Sequence, residues 1–161
     1  MARAGAPAAV EVLRGDQLEE VRGLLLDLLE EEQGHYDHHH MTRDEIDTSL
    51  LSGIRPGFAG ENVIFAVRDN GAVVAFCWCV LFDPGTGLEA EVAEVYVAPS
   101  QRGRGLARAL LRRAVALFEE RGVTLGVVWT RAANDGAVRL YEEAGFSPTD
   151  QLVLTWLPDR G

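Results

Sequence analysis

The amino-acid sequence predicts a three-layer α/β domain with strands of mixed direction. Three observations predict it. Two early segments carry helical apolar spacing. Three consecutive strand-like runs then follow, joined by turn residues. After Gly105 the pattern alternates helix, strand, helix, strand. The order is β-α-α-β-β-β-α-β-α-β within 161 residues, the size of one ordinary domain.

Val10 to Leu13 reads as a short strand. Asp16 with Glu19 makes a capping pattern, and Leu18, Val21, Leu25, Leu28 and Leu29 keep helical spacing up to Gly34. The polar loop His35-Tyr36-Asp37-His38-His39-His40 follows. Thr42-x-x-Glu45 is a second capping box, opening a short helix through Ile46, Leu50 and Leu51 that stops by Gly53. Arg55-Pro56-Gly57 is a turn. Val63 to Val67 is a strand, and Asn70-Gly71 favours the positive φ of a type I′ hairpin. The chain returns over Ala72 to Phe82, turns at Asp83 to Gly87, and runs again from Leu88 to Val97. Leu106, Leu110, Leu111, Ala114, Leu117 and Phe118 then form a helical stripe capped by Gly122. Thr124 to Thr130 reads as a buried strand, Asn134 to Ala144 as a helix stopped by Gly145, and Gln151 to Leu157 as a last strand. Residues 1–8 are expected to be a short flexible leader and residues 9–161 a single domain.

Hydrophobic residues make up 47% and charged residues 25%, a globular composition. No apolar run approaches the roughly 20 residues of a membrane helix; Leu24-Leu25-Leu26 is broken by Asp27 and then Glu30, Glu31 and Glu32. The N-terminus lacks the apolar centre of a signal peptide. Without export or membrane signals, the expected location is cytoplasmic. Cys77 and Cys79 alternate on a strand, share a face, and read as reduced core thiols. The formal charge of −10 argues against nucleic-acid binding and favours a cationic substrate. Arg102, Arg104, Arg108, Arg112 and Arg113 form a basic island with no acid among them, which suggests an anion there.

The segment Val95 to Ala107 carries the most chemistry. A strand enters a Gly-rich turn and leaves as a helix. Gly103 and Gly105 permit unusual φ and close backbone approach. The helix start points unpaired N–H groups and its dipole at an anion. Arg102 and Arg104 add charge, so the segment reads as a pyrophosphate seat; the plain alternative is a Gly-rich turn with surface arginines. A dinucleotide fingerprint fails because Arg108 stands three places after Gly105, and no Gly-Lys-Ser/Thr nucleotide loop exists. Downstream, Asn134 opens a helix on which Tyr141 can face the same cleft. A phenol with pKa near 10 stays protonated at neutral pH and can donate. The plain alternatives are an N-cap for Asn134 and half-buried packing for Tyr141.

Arg102-Gly103-Arg104-Gly105-Leu106-Ala107 resembles the R/Q-x-x-G-x-G/A signature of the GNAT superfamily of N-acetyltransferases. Asn134 to Phe146 resembles its second motif, N-x-x-A-x-x-L-Y-E-x-x-G-F. The resemblance implies a three-layer fold with helices on both faces. Its central sheet is mixed, mostly antiparallel, and splayed near Val97 at the CoA site. It implies acetyl-CoA as co-substrate and direct transfer to an amine. Backbone groups of Val95, Tyr96 and Val97 would pair with the pantetheine arm. Arg102, Gly103, Arg104, Gly105, Leu106 and Ala107 would bind the pyrophosphate. Asn134 would hydrogen-bond near the pantetheine, and Tyr141 would protonate the departing thiolate. A glutamate on this strand often serves as base in the family. Glu94, alternating with Val92 and Tyr96, is the candidate; Glu91 is read on the opposite face, and the plain alternative for either is a solvated strand residue. Dimers are frequent in the family.

The expected acceptor is a small cationic primary amine. A protein N-terminus or lysine is the alternative acceptor, and a non-catalytic CoA-binding sensor or a plain interaction protein are alternatives of another class. No metal is expected: adjacent histidines in His35 to His40 rarely converge on one ion. That loop reads as mobile or as acceptor-pocket lining, and the Glu30-Glu31-Glu32 run as a solvated helix end. Trp78, Trp129 and Trp156 read as core.

Overall fold

Alternation of apolar and polar residues builds most of the sheet, and the computed structural model describes residues 8–33, 40–49, 60–83 and 87–155. Strand β1 is Val10–Leu13, and helices α1 and α2 are Arg22–Gln33 and Arg43–Ser49. Strands β2, β3 and β4 are Glu61–Asp69, Ala72–Phe82 and Glu89–Val97. Helix α3 is Leu106–Arg121, strand β5 is Leu125–Val128, and helix α4 is Asp135–Glu143. The five strands form one open sheet in the order β1-β2-β3-β4-β5. The first three pairings are antiparallel and β4–β5 is parallel, which gives the mixed directions expected.

The strands bury both faces. Val63, Phe65, Val67, Ala75, Cys77, Cys79, Ala90 and Val92 point to one side, where Leu106, Leu110, Leu111, Ala114 and Phe118 of α3 cover them. Leu140, Tyr141 and Ala144 of α4 pack against the same cluster. Ile64, Ala66, Phe76 and Tyr96 point to the other side, against Leu24, Leu25 and Leu28 of α1. Leu110 and Leu111 are fully buried. Each such side chain contributes about 1.5–3 kcal/mol of burial.

Local signals end the elements as expected. Asn70 (φ 50°) and Gly71 (φ 85°) give the hairpin its two positive-φ residues. Thr42 and Glu45 form the reciprocal capping box: the Thr42 N–H donates to Glu45 Oε2 at 2.7 Å, and the Glu45 N–H donates to Thr42 Oγ1 at 3.3 Å. Gly122 (φ 67°) stops α3 in a left-handed conformation.

Four expectations need correction. The segment expected to be helical from Asp16 opens as a 3-10 turn over Gly15–Val21, a frequent prelude to an α-helix. Within the expected buried strand at Thr124 to Thr130, only Leu125–Val128 is strand, and it is the sheet edge. Leu125 is 50% and Trp129 60% exposed, so Trp129 is not core. The expected strand at Gln151 to Leu157 takes no regular structure over residues 151–155, where Leu152 is 81% and Leu154 85% exposed. Ala8, assigned to the leader, packs against the α3-side core. Trp78 does lie against the α1-side core, its indole N–H donating to Asn62 Oδ1 at 2.8 Å. His35 to His39, Leu50 to Gly57 and Trp156 lie outside the described residues.

Candidate active site

Strands β4 and β5 part company early. Their pairing runs from Glu89↔Leu125 to Val92↔Val128 and stops there, while β4 continues to Val97. The last five residues of β4 therefore have an edge that β5 does not cover. The Ala98 N–H donates to the Val74 carbonyl at 2.9 Å. Antiparallel ladder bonds alternate, so the N–H and C=O of Val95 and Val97 turn away from β3 toward that open edge, while those of Tyr96 face β3. This divides the expected backbone trio: Val95 and Val97 turn their hydrogen-bonding groups to the open edge and Tyr96 does not; the Val97 carbonyl there accepts from Arg102 Nε at 3.0 Å.

The strand leads into the glycine loop. Gly103 and Gly105 both have φ 76°, and a Cβ on either would meet nothing within 4 Å. Only glycine takes this left-handed conformation without strain, and the space above it is free for a ligand. Gly105 is the N-cap of α3. Its next three N–H groups, from Leu106, Ala107 and Arg108, have no partner one turn back and carry the positive end of the dipole. Leu106 anchors the start because its side chain is buried in the α3 core. The loop thus has the backbone geometry that can seat an anion.

Tyr141 stands on α4, beside the same core. Its ring meets Phe146 edge-on at 6.1 Å between centroids. Burial first, then the nearby Cys77 and the Glu94 charge, push its phenol up to about 12. It is therefore a protonated donor across the neutral range. Asn134 caps α4: its Oδ1 accepts from the Ala137 N–H at 3.2 Å. The amide nitrogen of that exposed side chain is a separate donor. Seven residues separate Asn134 from Tyr141, about two turns, so both lie on one side of the helix.

A model of the acetyltransferase (GNAT) family matches residues 22–146. The chain belongs to this family. Among curated GNAT relatives, a mycothiol acetyltransferase from Brachybacterium faecium is 31% identical over 161 residues, covering 97% of this chain and 47% of that one. The chain spans less than half the length of the mycothiol acetyltransferases it matches. Among solved structures, aminoglycoside N-acetyltransferase AAC(6')-Iy in complex with CoA superposes with a TM-score of 0.63 at 16% identity, covering 93% of this chain and 99% of that one. A ribosomal-protein-alanine N-acetyltransferase from Brucella melitensis superposes at 0.66 and 20% identity, covering 93% and 98%. At those identities the likeness is one of fold.

In this GNAT chain the β4 carboxylates are not arranged as strict alternation implies. Cys79 pairs with Val92, but Trp78 pairs with Glu94, which leaves Ala93 as the extra residue of a bulge. Val92 and Val95 consequently both face α3. Glu94 faces the α1 side with Trp78 and Tyr96, opposite to Val92. Glu91, paired with Val80, faces that same side. The expected separation of Glu91 from Glu94 is therefore overturned.

The basic island is also not bare. Acids from distant segments reach it: Arg108 pairs with Glu143 and Arg104 approaches Asp69 at 3.8 Å. The Arg113 guanidinium lies 5.7 Å above the Phe65 ring. Arg102 is held by Glu31 through Nη2, at 2.9 Å to Oε1 and 2.8 Å to Oε2. Glu30 pairs with Arg43 at 2.6 Å. Glu30 and Glu31 are thus tethered, not simply solvated. Their placement held a usable signal: acids in the last turn of a helix oppose its dipole and call for a cationic partner.

Cys77 and Cys79 are both buried and unbridged, with their sulfurs 3.8 Å apart. The hydrogen bond to Cys79, then burial, push the Cys77 thiol well above its ordinary range. It is an inert core group. No helix among the described residues is long and apolar enough to cross a membrane.

Proposed function

We propose that this GNAT chain is an acyl-CoA-dependent N-acetyltransferase that moves an acetyl group directly from acetyl-CoA to a primary amine of a small cationic molecule. One observation carries the reading. The uncovered edge of β4 at Val95 and Val97 runs straight into the left-handed Gly103–Gly105 loop and the α3 N-terminus, with Tyr141 on the neighbouring helix. That continuous track supplies amide partners for a pantetheine arm and then a seat for a diphosphate.

The chain's own residues divide the chemistry. Bound side by side, the amine and thioester gain proximity. Glu94 takes the ammonium proton, directly or through water, and frees the nitrogen lone pair. The nitrogen bonds to the thioester carbon, and the Val97 N–H steadies the developing oxyanion. The carbon–sulfur bond then breaks with its electron pair leaving on sulfur. The Tyr141 hydroxyl donates to that sulfur and is reprotonated through solvent as the acylated nitrogen sheds its second proton; the first proton, taken by Glu94, is the net proton released.

The relatives named for mycothiol and the neighbour named for aminoglycosides support a small acceptor. The formal charge of −10 and the shared face of Glu91 and Glu94 support a cationic one. A homodimer is part of the proposal, in keeping with the dimers frequent among GNAT proteins, and light scattering would test it.

A thermal melt tests the donor site. Acetyl-CoA at 100 times its dissociation constant adds about 2.7 kcal/mol, a rise of roughly 5–10 °C for a chain of this size. A screen of polyamines and amino sugars for thiol release then tests the acceptor class. No shift with saturating acetyl-CoA would defeat the reading.

A further inference from the structure

Glu31 ties two parts of the molecule that are 71 residues apart. Its carboxylate takes both bonds from Arg102 Nη2 and a third from the Tyr96 hydroxyl at 2.8 Å. The same guanidinium donates through Nε to the Val97 carbonyl at 3.0 Å and lies 5.5 Å from the Tyr96 ring centroid. Arg102 thus touches the open end of β4 with one nitrogen and α1 with another.

The backbone explains why this matters. The Gln101 and Arg102 N–H groups bond back to Ala98 and Pro99. Beyond Arg102 come Gly103 and Gly105, the two left-handed glycines, with no side chain to hold them. Arg104 between them reaches Gln101 and Asp69, and Arg102 fixes the near end of the turn, so the direction of their N–H groups depends on the Arg102 anchor together with that contact. Glycine loses more freedom on ordering than any other residue, so a fixed anchor here lowers what ligand binding must order.

We infer that Glu31 is a positioning residue for the donor loop: it holds Arg102 on the Val97 carbonyl and so presets the glycine turn that receives the diphosphate. This assigns Arg102 to bracing the loop in place of binding the anion itself. It also places a control on donor affinity in α1, on the opposite face of the sheet from α3. The inference rests on the reading of the loop as an acetyl-CoA site.

Calorimetric titration with acetyl-CoA tests it on wild type, Glu31→Gln, Arg102→Ala and the double variant, alongside steady-state kinetics. Glu31→Gln is expected to weaken acetyl-CoA binding about 3- to 5-fold, the upper range for an exposed ion pair. KM for acetyl-CoA rises equally, with kcat within about 2-fold, because the reacting groups are untouched. Arg102→Ala weakens binding at least as much, and the double variant no further, since both act through one contact. Tyr96→Phe, which removes only the third bond, gives a smaller change in the same direction. Unchanged or tighter binding in Glu31→Gln would overturn the inference, tighter binding meaning that Glu31 restrains Arg102 from the anion. Additive losses would overturn it too. A wild type that does not bind acetyl-CoA would instead overturn the donor-site reading, and the inference with it.

Discussion

Glu91 and Glu94 share one face of β4 although strict alternation would put them on opposite faces. The bulge at Ala93 does this, pairing Glu91 with Val80 and Glu94 with Trp78. Two carboxylates therefore compete for the role of base, and geometry separates them by depth along the strand. Glu94 lies on the part that β5 leaves uncovered, and its charge reaches Tyr141; Glu91 lies where β5 still pairs. Glu94→Gln should lower kcat about 10²-fold, the lower range for a general base, with acetyl-CoA KM unchanged. Glu91→Gln should change kcat by less than about 3-fold with the preferred amine. Thiol-release assays at pH 7.5 check both, and a large loss confined to Glu91→Gln would transfer the role.

Tyr141 gives a prediction in pH. Burial, then Cys77 and Glu94, raise its phenol to about 12, against about 10 when unfolded. Between those values the unfolded chain has already lost the proton that the folded chain keeps. The unfolded state then binds fewer protons, so stability from this group falls as pH rises from 10 to 12 and is unaffected below. Tyr96, also raised to about 12 by burial and by its bond to Glu31, adds to the same decline. Chemical melts at pH 9, 10 and 11 should show the fall, and Tyr141→Phe should reduce it. The same variant should lose about 10²-fold in kcat at pH 7.5 with KM unchanged, as expected for loss of a proton donor. A Tyr141→Phe enzyme with full turnover would remove the phenol from the mechanism.

Gly105 and Gly122 stand at opposite ends of α3, both left-handed, at φ 76° and 67°, and both with open space where a Cβ would go. Replacing either by alanine should cost about 1–2 kcal/mol of backbone strain, or roughly 2–8 °C in melting temperature. Their binding effects should differ. Gly105→Ala places a methyl where the diphosphate is proposed to sit and should weaken acetyl-CoA binding by at least about 10-fold, a 1.4 kcal/mol effect. Gly122→Ala should leave affinity unchanged. Calorimetric titration of the pair decides whether the loop is a seat or merely a turn; equal affinities would make it a turn.

What could be read in advance was local. The Asn70-Gly71 hairpin, the Thr42–Glu45 box and the α3 stripe each depend on residues within a few positions of one another, and each formed as expected. Pairings across the chain were not legible. Ala93 carries no mark of a bulge, because the extra residue is set by how β3 and β4 come into register. Arg102 finds Glu31 only after α1 has packed on the sheet. The alternating apolar residues from Gln151 onward suit a strand, yet a pattern records fitness for a sheet and not the presence of a neighbour. Residues 151–155 accordingly stand unpaired and exposed. The loop and Tyr141 could be nominated from the sequence because the chemistry proposed for them needs residue types at short spacing. Glu94 could be nominated as base too, but not the face it shares with Glu91, because that depends on the bulge.

Asn134 has one observed function, the cap, and one proposed function in the same side chain, and they can be pulled apart. Its oxygen caps α4 by accepting from the Ala137 N–H. Its nitrogen is the group proposed to meet the pantetheine arm. Aspartate caps as well as asparagine but has no N–H to give. Asn134→Asp should therefore keep the melting temperature within about 1–2 °C of wild type while raising acetyl-CoA KM about 5- to 10-fold, the effect of one lost hydrogen bond of about 1–1.4 kcal/mol. Asn134→Ala loses both functions, with a further fall of about 2–4 °C for roughly 1 kcal/mol of lost cap. Melts and steady-state kinetics on the two variants read the functions separately. An Asn134→Asp enzyme with wild-type KM would leave this residue as a helix cap and nothing more.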